Sequence, residues 1–105
     1  MERKAITNGN GKWFDIEKAI CYPELTYHNG KNYISKITGS QWEHEAMYKT
    51  ASGHYIHNKY SDYQGSVETY IVVTKEVAAE WFAQQEYDME IVPKELHQLI
   101  NDFEI

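Results

Sequence analysis

Hydrophobic and polar positions alternate through the first two thirds of the chain, and the period then lengthens to that of a helix. Between Trp13 and Ile20, the apolar Phe14, Ile16 and Ile20 fall on one side and Asp15 and Glu17 on the other, which predicts a half-buried strand interrupted by Lys18. Tyr22-Pro23 predicts a break, because proline cannot donate to a β ladder. Leu25–His28 and Lys31–Ile37 flank Asn29-Gly30, a pair that favours a tight hairpin turn with positive φ at both central positions. After the loop Thr38-Gly39-Ser40, strands are expected over 43–50 and 54–60, joined by Ala51-Ser52-Gly53. A polar loop over 61–66 leads into the most apolar strand, Val67–Val73, where Val67, Thr69, Ile71 and Val73 share a face.

Thr74 then has the chemistry of a helix N-cap. A helix is expected over 75–85, with Val77, Ala78, Trp81 and Phe82 as its apolar stripe. Pro93 suits the start of a second short helix, with Leu96, Leu99, Ile100 and Phe103 at helical spacing. The expected fold class is α+β: about five antiparallel strands in a meander, with two C-terminal helices packed on one face. Residues 1–11, which include Asn8-Gly9-Asn10-Gly11, are expected to form a flexible lead-in, and residues 12–105 a single domain.

Composition narrows the class. The single cysteine, Cys21, excludes an intramolecular disulfide and reads as a semi-buried structural thiol. Met1-Glu2-Arg3-Lys4 does not open an apolar leader, and no apolar run approaches the roughly 18 residues of a membrane span, so a cytoplasmic location without membrane contact is expected. Charge is uneven. Residues 1–60 hold eight Lys/Arg against six Asp/Glu, a net of +2, whereas residues 61–105 hold two Lys against ten Asp/Glu, a net of −8. An overall charge of −6 argues against a broad nucleic-acid groove; the acidic half suits a basic partner, and the plainer reading is a solvated surface.

No catalytic set assembles from spacing. The serines lack a nucleophile elbow, and the glycines form neither a phosphate loop nor a dinucleotide fingerprint. His54 and His57, three apart on a strand, point to opposite faces and cannot share a metal. Neither a metal nor another cofactor is expected. The most site-like local cluster is Trp42, His44, Glu45 and Tyr48, an acid–base pair beside aromatic platforms. Strand parity places Glu43 and Glu45 on one face and His44 on the other, and the plainer reading is an edge strand whose charges block association.

Tyr48, Tyr55, Tyr60, Tyr63 and Tyr70, with Trp42, offer aromatic surface for a protein interface or for stacked bases, apart from those that fill the core. Tyr60, Tyr63 and Gln64, at and beyond the end of a strand, are candidate partner contacts. Glu76, Glu80, Glu86, Asp88 and Glu90 form an acidic run suited to a basic partner.

Thr38-Gly39-Ser40-Gln41-Trp42-Glu43-His44-Glu45, Met47-Tyr48-Lys49-Thr50-Ala51-Ser52-Gly53, Ser61-Asp62-Tyr63-Gln64-Gly65-Ser66 and Ala78-Ala79-Glu80-Trp81-Phe82 together resemble a group of small uncharacterised bacterial proteins, some carried by phages and plasmids. That group carries TGSQWEHE, LYRT-x-x-G, S-x-x-QGS and A-A-x-W-L blocks. The resemblance spans roughly residues 13–92; Met47, Lys49, Tyr55 and Phe82 depart from the pattern while keeping its character. It implies a bacterial or mobile-element setting and no activity or catalytic residue. By analogy with anti-CRISPR proteins, a small acidic chain in that setting is expected to inhibit or regulate a larger enzyme. The leading expectation is therefore a non-enzymatic protein-interaction module, as monomer or homodimer. The alternatives are a single-stranded nucleic-acid-binding sheet, and a small-ligand-binding domain or minor enzyme using Trp42, His44 and Glu45.

Overall fold

The computed structural model describes residues 1–105 and has an α+β architecture, with eight antiparallel strands in three sheets and two C-terminal helices. β1 (Arg3–Ala5) pairs with β2 (Trp13–Asp15) as a hairpin. The segment expected as a lead-in thus contains a strand. Its Asn-Gly-rich stretch is the hairpin connection, with Asn8 and Asn10 at positive φ, which their short polar side chains tolerate. The predicted single strand over 13–20 divides at a turn, and β3 (Ile20–Pro23) begins a different sheet. Pro23 ends β3 without breaking it, because β3 is an edge strand and an outward-facing position needs no donor.

β4 (Thr26–His28) and β5 (Tyr33–Ser35) form the hairpin around Asn29-Gly30. Its connection is longer than the tight turn expected. The Asn29 side chain accepts from the backbone N–H of both Lys31 and Asn32, at 2.9 Å each, and widens it to four residues. β6 (Glu43–Lys49), β7 (Tyr55–Ser61) and β8 (Thr69–Val73) form the meander. Gly53, at φ 91°, supplies the left-handed residue in the β6–β7 turn. The main sheet has four strands in the order β3-β6-β7-β8, one fewer than the number expected. β6 lies between β3 and β7, but β3 pairs only with Ala46–Lys49, so Glu43–Glu45 are laddered to β7 alone and keep an open edge on their other side.

α1 (Lys75–Gln84) is capped by the Thr74 side chain, which accepts from Val77 N. A 3₁₀ turn over Lys94–Leu96 leads into α2 (His97–Asn101). Strand register sorts the side chains. Tyr22, Met47 and Tyr55 point to the face covered by α1, where they join Ala78, Ala79, Trp81, Phe82, Tyr87, Val92 and Leu96 in the main core. Burying a side chain such as Phe82 stabilises the fold by roughly 1.5–3 kcal/mol. Ile56 and Tyr70 point the other way and pack with Phe14 of the β1–β2 hairpin, so both faces of the sheet are covered. Val77 lies outside the core at 46 % exposure, and the buried stripe of α1 shifts to Ala78, Ala79, Trp81 and Phe82, ending at Gln85. Gln85 is buried because its amide donates to Trp81 O and its carbonyl accepts from Leu25 N, tying the helix end to the segment between β3 and β4. In β8 only Tyr70 is buried, and Val67 precedes the strand at 82 % exposure.

Candidate functional site

The Trp42–Glu45 segment lies where the distant blocks of the sequence meet. Ser40 accepts through its hydroxyl from the N–H of Trp42 and of Glu43, while Thr38 donates its hydroxyl to Glu43 O at 2.8 Å. These local bonds hold the loop as it enters β6. Across the hairpin, His44 pairs with Tyr60 and their rings stack at 5.3 Å between centroids. Asp62 lies two residues beyond Tyr60, and its backbone N–H donates to Trp42 O at 2.9 Å. The Ser61 hydroxyl accepts from Tyr63 N, and the Ser66 hydroxyl donates to Tyr63 O at 2.8 Å, so the 61–66 loop is pinned at both ends.

His44 is the centre of this end of the sheet. Its Nδ1 is 2.8 Å from Glu24 and its Nε2 is 2.8 Å from Asp62. The Glu24 side chain is only 8 % exposed, and its second oxygen accepts from Glu45 N at 2.7 Å. Burial alone would lower the His44 pKa, but hydrogen bonds and charge from Glu24 and Asp62 outweigh it and raise the pKa. A histidine whose two nitrogens both meet carboxylates is favoured in its protonated form and clamps the two segments together. In the flanking segments the Trp42 and Tyr63 rings approach to 5.9 Å between centroids, and Trp42, Tyr60, Tyr63 and Val67 remain exposed by 39–82 %. A shallow hollow of about 210 Å³ runs between Tyr60, Val67 and the start of β6.

Glu45 lies on the opposite face. Its Oε1 accepts from His57 Nε2 at 2.6 Å and from Trp81 Nε1 at 3.0 Å, joining β6, β7 and α1. Burial pushes the Glu45 pKa up, but these bonds and the nearby His57 and Lys59 charges bring it below its ordinary value. The four residues expected to cluster are therefore divided. Trp42 and His44 share the aromatic end, Glu45 serves the helix face, and Tyr48 packs against Phe14 and Tyr70 on the second face. Tyr55 and Tyr70 are core residues, with hydroxyls donated to Glu95 and Glu68. Cys21 is exposed, not semi-buried.

Glu76, Glu80, Glu86, Asp88 and Glu90 are all exposed, and none forms an ion pair; Lys75, the cation next to them, turns to Glu95 at 3.4 Å. Gln64 is exposed in the 61–66 loop. Glu24, Asp62 and His57 are the contributors that sequence spacing does not mark. Asp62 is recoverable from the hairpin register, since it shares a face with His44 and Tyr60, but Glu24 reaches His44 from 20 residues away. His, Cys, Asp and Glu side chains nowhere gather in threes able to hold a metal ion. The largest concavity, about 680 Å³, lies away from this site, between the β1–β2 hairpin and the β6–β7 turn.

No family model matches the chain, and neither a curated protein nor a solved structure matches it. No helix is long and apolar enough to cross a membrane.

Proposed function

We propose that the protein is a non-enzymatic interaction module that presents Trp42, Tyr60, Tyr63 and Val67 as anchors to a basic protein surface. The observation behind this reading is that Trp42, Tyr60, Tyr63 and Val67 are exposed in and beside the segments that the Glu24–His44–Asp62 clamp joins. Aromatic anchors are enriched where proteins bind one another, and a rigid base lowers the entropy lost on binding. Glu43 and Asp62 adjoin the anchors in the chain, and Glu76 and Glu80 are exposed on α1, a surplus of negative charge that favours a partner rich in Lys and Arg. His44 contributes by holding the loop and performs no chemistry. A larger bacterial enzyme with a basic surface is the partner class this reading prefers.

The test is an affinity capture from bacterial lysate with the tagged chain, at low and moderate salt, read by mass spectrometry. One stoichiometric protein is expected, lost when Trp42→Ala and Tyr63→Ala are combined and weakened by salt. Retention of the same protein by that double variant would refute the aromatic surface.

A further inference from the structure

On the helix face, a groove of about 250 Å³ separates α1 from strands β6 and β7. Its apolar walls come from Ile37, Met47, Val77 and Trp81, and its polar lining includes Glu45, His57, Glu80 and Gln84. Glu45 uses only one oxygen on His57 and Trp81. Its Oε2 has no hydrogen-bond partner and is not sealed from solvent. Glu80 receives one long contact, 3.4 Å, from Gln84 and forms no ion pair. Glu76 lies one turn earlier on the same helix and is also unpaired. The cation nearest in register is Lys59, opposite Glu45, and it forms no ion pair either. An apolar slot with free carboxylate oxygen in its wall matches a side chain with an aliphatic stem and a cationic tip.

We infer that this groove is a receptor for one Arg or Lys side chain of the partner, with the stem against Met47, Val77 and Trp81 and the cation between Glu45 and Glu80. The inference rests on the reading of a basic protein partner and names a contact beyond the aromatic anchors. The slot takes the cation in place of water, and the pairing forms in partial shelter, where charge-assisted bonds are stronger than at an open surface.

The test uses the full chain, ¹⁵N-labelled, at low ionic strength. N-acetylarginine amide, N-acetyllysine amide and the neutral isostere N-acetylcitrulline amide are titrated while the Trp81 indole N–H resonance is followed. That proton is bonded to Glu45, so it reports directly on the groove. A saturable shift is expected with at least one cation, and binding of citrulline about tenfold weaker. The stronger of the two cations identifies guanidinium or ammonium as the preferred tip. Glu80→Gln changes an exposed residue and is expected to weaken cation binding about threefold while leaving the fold intact. Equal binding of citrulline, or no saturable shift with either cation, overturns the inference. Trp42→Ala lies outside the groove and is expected to leave the titration unchanged. Loss of the captured partner in the Trp42/Tyr63 variant, with no cation binding in the groove, removes this inference alone. Cation binding without any partner dependence on Trp42 and Tyr63 removes the aromatic reading alone.

Discussion

His44 and Glu45 are neighbours in the chain, yet they build opposite kinds of contact. His44 faces the side away from α1 and joins two carboxylates from segments that carry no helix, one of them 56 % exposed. Glu45 faces α1 and joins a histidine and an indole, with both partners in the carboxylate–histidine pair about 15 % exposed. The chemistry of the pairs is similar. Parity along β6 decides that one organises an exposed loop and the other fastens the sheet to its helix. Disturbing the first is expected to loosen a surface, and disturbing the second to loosen the core.

The largest expected effect sharpens this contrast between faces. Phe82→Ala, in the ten-residue main core, is expected to cost about 3–5 kcal/mol in urea unfolding. Phe14→Ala, in the three-residue core under the β1–β2 hairpin, is expected near the lower end of that range, because the adjoining groove lets the site relax and admit water. Equal losses would mean that the hairpin side is as tightly built as the helix side.

Next comes the pair itself. Glu45→Ala leaves the Trp81 and His57 nitrogens without their acceptor and is expected to cost about 1–3 kcal/mol, with a shifted Trp81 indole resonance. Asp62→Ala, at the exposed end of the His44 clamp, is expected to cost less than about 1 kcal/mol while raising hydrogen exchange across residues 61–66. A larger stability loss from Asp62→Ala than from Glu45→Ala would reverse the comparison.

The pH dependence separates the clamp from other ion pairs. The folded His44 pKa is raised, so its contribution is fully present below about pH 6.5, its ordinary value, and is lost as pH rises through the higher folded value. The Tm of the wild type is therefore expected to fall relative to His44→Gln as pH increases above about 6.5. Glu95 gives the opposite sign. The Tyr55 hydroxyl and Lys49 hold its pKa down at about 2, so its contribution is present above the ordinary glutamate range and disappears as pH falls toward about 2. Coincident losses on one side of neutrality would contradict these assignments.

The smallest effect is on the acidic surface. Glu76→Lys combined with Glu86→Lys changes exposed residues without ion-pair partners and is expected to alter stability by about 1 kcal/mol or less, part of it from the helix dipole at Glu76. Capture of a basic partner is expected to weaken far more than that stability change explains.

Local chemistry made much of the fold legible. Thr74 and the apolar spacing after it specify α1, Gly53 marks the β6–β7 turn, and alternation marks β6 and β7 to within a residue or two. The N-terminal hairpin was hidden because three-residue strands with Lys and Arg carry little periodic signal; Phe14 reveals its role only when packed against Ile56 and Tyr70. Parity also separated His44 from its neighbouring glutamates, and composition put the surplus negative charge in the second half. The β6–β7 hairpin brings Asp62 to His44, whereas Glu24 reaches His44 through the pairing of β3 with β6, and Trp81 reaches Glu45 through the docking of α1. The last two contacts join residues 20 and 36 apart, and their formation depends on burial of the whole sheet, a property that no local stretch of the chain contains.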